Sequence, residues 1–327
     1  MALTRGFMLL ALLGCTLGLS AARTTYVFVI FGDSLSDTGN TLRAAGVPDP
    51  AIYYKGRFTN GPNWVDRLNA TFAKKCTAKV FNYAYGGATA CPNPGYSQIY
   101  PYIKDLTNQT ASFLSDYKTG KIPRGPGVKI IPIQWIGSND LMLTLMGALN
   151  DAHTDPLQLA ATINATVACR VQWAKTLALA GLKDIVMLPM SPVHLAPLLP
   201  AAAKPMVIQA LNALDTATTA AVGALQAHLK TIHGSRPAAG ARIHLLGNYT
   251  WIEAGGQEVK PPFTDMTGPC VANYLPLVIH PGLEICANPN DHLFYDTLHI
   301  GSRFHQWLGV KGILPRLQQL RLLPKTI

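Results

Sequence analysis

The chain has 327 residues, of which 49% are hydrophobic, enough for a large core and too many for a disordered chain. Its net charge is +10, yet only 13% of residues are charged. The basic residues are scattered, with Lys74-Lys75 and Arg316/Arg321 as small clusters, so they read as solvated surface and exclude a nucleic-acid-binding stripe.

The N-terminus carries Arg5, an apolar run from Phe7 to Leu19, and the small residues Ser20-Ala21-Ala22. This is the pattern of a secretory signal peptide over residues 1–22, which leaves one mature domain over 23–327. No later run of about 18 apolar residues occurs, so no membrane span is expected. Thr25–Phe31 reads as a first strand, ending in Gly32-Asp33-Ser34-Leu35-Ser36-Asp37-Thr38-Gly39-Asn40. Pro62–Phe72 follows as an amphipathic helix, Val80–Tyr83 as a second strand, and Pro101–Tyr117 as a helix. Val128–Ile136 is a third strand, whose first half Pro132 should make irregular. Leu157–Ala180 is a long helix closed by Gly181. Asp184–Leu188 and Arg242–Leu246 are the last two strands, with the Ala-rich helix Ala201–His228 between them. Ser302–Leu320 reads as a closing helix, kinked or broken near Gly312 and Pro315. Strands alternating with helices imply a mostly parallel sheet covered on both faces.

Three segments at strand ends carry chemistry. Ser34 follows the first strand, where α/β sheets bind ligands. Alone, Gly32-Asp33-Ser34 is equally well a βα turn with a capping residue. Gly86-Gly87 follows the second strand, where a glycine brings a backbone N–H close to a reacting atom. Asn139, in Gly137-Ser138-Asn139-Asp140 after the third strand, can aim its amide at an oxyanion or cap the next helix. Near the C-terminus stands Asp296-Thr297-Leu298-His299. A serine hydroxyl needs an imidazole to take its proton, and the imidazole needs a carboxylate to fix its tautomer. His305 and His292 compete for the base, but only His299 has the Asp-x-x-His spacing.

Taken in order, Gly-Asp-Ser-Leu, the Asn82 to Gly87 block, Gly-x-Asn-Asp and Asp-x-x-His resemble the GDSL (SGNH) esterase/lipase family, over roughly Val27 to Leu308. Gly56-Arg57-Phe58-Thr59-Asn60-Gly61 also resembles a stretch common in secreted plant and fungal members. The resemblance implies a three-layer α/β/α sandwich with a five-stranded, flavodoxin-like sheet. It implies Ser34 as nucleophile, His299 as base and Asp296 as its orienting carboxylate. The Ser34 and Gly87 N–H groups and the Asn139 side chain match the family's oxyanion donors. Two departures stand out: Ile300-Gly301 where relatives often have Pro-Thr, and Tyr295 where many have Trp.

The expected activity is hydrolysis of carboxylic esters through an acyl-enzyme, with no metal or cofactor, by a monomer. Acetyl esters of glycans are the first expected substrate, with Tyr53, Tyr54, Tyr96, Tyr100 and Tyr102 available to a sugar cleft. A lipase or phospholipase, with His194–Pro200 as an apolar lid, is the alternative. A reading of another class is an inactive binding protein on the same scaffold. Four Asn-x-Thr sites, Asn69, Asn108, Asn164 and Asn248, suit an extracellular glycoprotein. Spacing suggests Cys76–Cys91 and Cys270–Cys286 disulfides, with Cys169 a buried free thiol.

Overall fold

In a computed structural model, the described residues are 24–74, 76–150, 156–232, 237–272 and 283–325, without the side chains of 148–150. The expected signal peptide lies outside them. Five strands, β1 (Thr25–Gly32), β2 (Thr77–Asn82), β3 (Val128–Trp135), β4 (Asp184–Met187) and β5 (Arg242–Leu245), form one parallel sheet in the order β2-β1-β3-β4-β5. The helices are α1 (Asn40–Ala45), α2 (Trp64–Ala73), α3 (Pro94–Ile99), α4 (Leu106–Lys118), α5 (Ser138–Asn150), α6 (Pro156–Leu179), α7 (Lys204–Thr231), α8 (Tyr249–Glu258), α9 (Ser302–Trp307) and α10 (Leu314–Gln319).

Alternation along β1 builds the three layers. Phe28 and Ile30 pack with Trp64, Leu68, Phe304 and Leu317, from α2, α9 and α10. Val27, Val29 and Phe31 point the other way, against Phe113, Trp173 and Leu225, from α4, α6 and α7. The expected fold class is therefore the observed one. Its strand order reverses direction between β1 and β3, and a cleft forms at such a switch point beyond the strands' carboxyl ends. Ser34 and Asn139 stand there, after β1 and β3 respectively.

Four local readings need correction. β3 pairs with β1 without a break from Val128 to Trp135, so Pro132 does not disrupt it. The β3–β4 pairing begins only at Ile133, so no β4 residue stands opposite the missing Pro132 N–H. The closing helix does not break. It passes through a π-helical turn, Leu308–Ile313, between α9 and α10. The sequence pattern also missed a second, two-stranded sheet of β6 (Asp265–Pro269) and β7 (His292–Phe294). Finally, Val193, His194, Ala196 and Leu199 are buried, so His194–Pro200 is packed wall and not an apolar lid.

The disulfide pattern also differs. Cys270–Cys286 is bonded, but Cys91 is bonded to Cys169, 78 residues away. Cys76 therefore does not pair with Cys91, and Cys169 is no free thiol. The Cys91–Cys169 bond ties the loop after β2 to α6. Closing a loop of that length stabilises by about 4 kcal/mol in the chain-entropy picture. Non-reducing peptide mapping should recover Cys91 linked to Cys169 and Cys270 linked to Cys286. A linked Cys76–Cys91 peptide would contradict this fold of the loop.

Candidate active site

β1 ends at Gly32, where space is short: a Cβ there would stand 2.5 Å from the Trp135 carbonyl oxygen. The Gln109 side chain, reaching from α4, holds this residue at both ends. It accepts from Gly32 N (3.0 Å) and donates to Gly32 O (2.8 Å). The chain then turns, with Ser36 N and Asp37 N donating to Asp33 O at 3.0 Å. Ser34 sits in this turn, buried but for a small opening.

His299 reaches Ser34 from the far end of the chain. Its Nε2 lies 2.7 Å from Ser34 Oγ, and its Nδ1 lies 2.8 Å from Asp296 Oδ2. Asp296 is fully buried. Its Oδ1 accepts Leu298 N (2.7 Å) and His299 N (2.6 Å), which closes the Asp-x-x-His turn on itself. The Tyr53 hydroxyl donates to Oδ2. Burial pushes this carboxyl up, but the charge and hydrogen bond of His299, with Tyr53 and Leu298 N–H, outweigh it and hold Asp296 below the usual carboxylate range. With Nδ1–H donating to the ionised carboxylate, Nε2 faces Oγ as a proton acceptor.

The Gly56–Gly61 segment clamps the histidine loop. Phe58 packs on the His299 ring (centroids 5.3 Å apart), Thr59 Oγ1 donates to Ile300 O, and Asn60 Oδ1 accepts Ser302 N. Ile300, one of the two departures, bridges back to Phe294, and Gly301 N donates to Leu293 O. The second departure, Tyr295, donates its hydroxyl to Ile52 O.

The loop after β2 is fixed residue by residue. Gly86 N donates to Asp37 Oδ2 (3.0 Å) and Thr41 Oγ1 (2.7 Å), and Ala88 N to Tyr85 O. Ala90 N and Cys91 N donate to the two oxygens of Asp140, at 2.7 and 3.1 Å. Asn139 Nδ2 donates to Ala88 O (2.8 Å), which uses one of its two protons. Gly87 takes a left-handed φ of 79°, and a Cβ on Gly86 would strike the Phe58 ring at 2.1 Å. Among the described residues, the N–H groups of Ser34 and Gly87 have no acceptor. Hydrogen bonds thus join Ser34, His299 and Asp296, and a separate one joins Asn139 to Ala88, the residue after Gly87.

Among the described residues, the two competing histidines make no hydrogen bond to Ser34, whereas His299 does. His305 is buried on α9 and burial pushes its pKa down to about 3, so it stays neutral. His292 lies beside Asp265 (3.6 Å) and Gly268 O (3.3 Å). Sequence reasoning missed Asp37, Tyr53, Gln109 and Asp140 as anchors. Asp37 and Asp140 stood inside recognised blocks, but nothing local signals Tyr53 or Gln109. Of the expected glycan acceptors, Asn108, Asn164 and Asn248 are exposed, and Asn69 is half-buried.

The sequence model of the GDSL-like lipase/acylhydrolase family matches residues 28–309, and the chain belongs to that family. A phosphatidylcholine-sterol acyltransferase of Aeromonas hydrophila is 34% identical over 41% of this chain and 38% of its own length. A thermolabile hemolysin of Vibrio parahaemolyticus is 33% identical over 35% of this chain and 25% of its own. The secreted effector protein SseJ of Salmonella typhimurium is 30% identical over 35% and 26%. The chain thus matches well under half the length of these relatives. The crystal structure of TesA aligns with 90% of this chain and 99% of that one, at 15% identity and a TM-score of 0.40. The family is named for lipase and acylhydrolase activity.

Two buried carboxyls flank the site. Burial pushes Asp33 up to about 7, against the Leu35 N–H and the charge of His299, and Asp140 adds to the rise. Burial likewise pushes Asp140 up to about 6, against the N–H groups of Ala90 and Cys91. A raised carboxyl binds more protons folded than unfolded between about pH 4 and 7, so its contribution falls as pH rises through that window. His305, depressed, pulls the other way, so the readout is a difference. Asp33→Asn should become progressively more stable relative to wild type between about pH 4 and 7, measured by urea unfolding at each pH. A pH-independent difference would show that Asp33 keeps an ordinary pKa.

Proposed function

We propose that the chain is a serine ester hydrolase working through an acyl-enzyme on Ser34. The observation that carries this is the unbroken Ser34 Oγ–His299–Asp296 contact, 2.7 and 2.8 Å. His299 Nε2 takes the Ser34 proton as Oγ bonds to the ester carbonyl carbon. The negative oxygen is held by Ser34 N–H, Gly87 N–H and the second Asn139 Nδ2 proton. His299 gives its proton to the leaving alcohol, the carbonyl re-forms, and water deprotonated by His299 releases the acid. The hydrogen-bonded N–H groups of Gly86, Ala88, Ala90 and Cys91 hold the loop that carries Gly87, which supports catalysis over an inactive binding scaffold.

Two alcohol classes are in play. Acyl lipids are favoured by the relatives, one an acyltransferase named for phosphatidylcholine and sterol and one a hemolysin. An apolar cavity lined by Leu35, Trp135, Val193, Phe294, Leu298 and Ile300 abuts the neighbours of Ser34 and His299. Acetylated glycans are the other class, and their short acyl group would need little of this cavity. The tyrosines expected in a sugar cleft support that reading less: Tyr53 is buried, and Tyr96, Tyr100 and Tyr102 pack on one another and the core. Secretion accords with the two disulfides, and among the described residues no helix is long and apolar enough to cross a membrane.

On one soluble acetyl ester, Ser34→Ala and His299→Ala should each lose at least about 10³-fold in kcat, while His305→Ala keeps most of it. A dead His305→Ala beside a live His299→Ala would overturn the assignment of the base. Rates on acetylated xylan, phosphatidylcholine vesicles, and p-nitrophenyl esters from acetyl to palmitoyl decide the substrate. Turnover of the vesicles well above the xylan supports a lipid alcohol; the reverse order refutes it.

A further inference from the structure

Tyr53 precedes a short 3₁₀ turn, Tyr54–Gly56, and is fully buried. Its hydroxyl donates to Asp296 Oδ2, the same oxygen that meets His299 Nδ1. Asp296 Oδ1 is already taken by Leu298 N and His299 N. The carboxylate therefore has donors on both oxygens, and Tyr53 is the only side-chain donor besides His299 that its hydrogen bonds show among the described residues.

The phenol is held firmly in place. Tyr53 N donates to Asp49 O at 2.8 Å, and the Tyr295 hydroxyl donates to Ile52 O, so the peptide group before Tyr53 is tied at both its N–H and its carbonyl. The ring meets Tyr295 edge-on (5.4 Å, 90°) and leans on Phe58 (6.1 Å), which itself covers His299. A rigid, desolvated phenol aimed at a buried carboxylate is a strong charge-assisted donor.

We propose that Tyr53 is a positioning residue for the base: its hydroxyl fixes the Asp296 carboxylate facing His299 and, by sharing Oδ2, limits how strongly the carboxylate holds a protonated imidazole. The proposal rests on the Ser34–His299–Asp296 reading above. Its chemistry has a definite sign. A carboxylate that loses a donor becomes a better acceptor and stabilises the imidazolium, so His299 stays protonated to higher pH and fails as a base over a wider range. The other titratable groups facing this pair are Asp33, from the turn after β1, His305, from α9, and Tyr295 beside β7. Tyr53→Phe changes none of them.

The test is the pH profile of kcat/KM on a soluble acetyl ester for wild type, Tyr53→Phe and a protein with 3-fluorotyrosine at position 53. Tyr53→Phe keeps the ring packing, and its acid limb should move up by about half a unit or more, with kcat lowered about tenfold and KM little changed. The fluorinated phenol, a stronger donor, should move the limb down, and it reads the same effect if the Phe variant folds poorly. Superimposable profiles in the folded variants would overturn the proposal and leave Tyr53 as packing. Ser34→Ala is assayed alongside. If it is inactive and the profiles do not move, only the role of Tyr53 falls; if it is active, the triad reading and this proposal fall together.

Discussion

The carboxylate of Asp296 has no contact with solvent, and the site is organised around satisfying it. An ionised carboxyl stripped of water is costly, and removing one partner from such a group typically costs about 3–5 kcal/mol. Here the cost is offset by two backbone N–H groups of its own turn, one imidazole and one phenol. The backbone donors set the turn, the turn sets the direction of His299, and Nε2 comes to rest on Ser34 Oγ. The same arrangement explains why the Gly56–Gly61 segment matters. Phe58 packs on the His299 ring and Thr59 hydrogen-bonds the backbone of the next residue, so both brace the histidine loop.

A second constraint shapes the other half of the site. Around the loop after β2, successive N–H groups are drawn off to Asp37, Thr41, Tyr85 and Asp140, and Asn139 is tied to Ala88 O. The N–H groups of Gly87 and Ser34 are among those left without an acceptor in the described residues. A fixed loop with free donors stabilises developing negative charge without reorganising at the moment of reaction, which is where such donors gain their effect. The Cys91–Cys169 bond secures the end of the same loop to α6. Fold and site therefore share supports: the switch point between β1 and β3 sets the place, and the helices' polar side chains set the geometry.

The sheet was legible because each strand carries apolar or β-branched residues bounded by turn residues, and the alternation of Phe28 and Ile30 with Val27, Val29 and Phe31 serves both faces. The reacting residues were legible because ester chemistry demands few residue types in a fixed order. The supports were not. Gln109 lies 77 residues from the glycine it holds, and Tyr53 lies 243 from Asp296; tertiary packing alone brings them together. Cysteine spacing failed for the same reason, since Cys91 meets a helix residue 78 positions on. Pro132 misled because its effect depends on whether a neighbouring strand stands opposite it, and the β3–β4 pairing starts one residue later.

The central claim is that Ser34 is an activated nucleophile whose reactivity comes from His299. Its most direct measurement is the site and rate of covalent capture by a fluorophosphonate, read by peptide mass spectrometry. The account predicts a single adduct, on the peptide carrying Ser34, formed in wild type and lost or slowed by at least about a thousandfold in His299→Ala. An adduct on another serine, or equal labelling of Ser34 in both proteins, would contradict it.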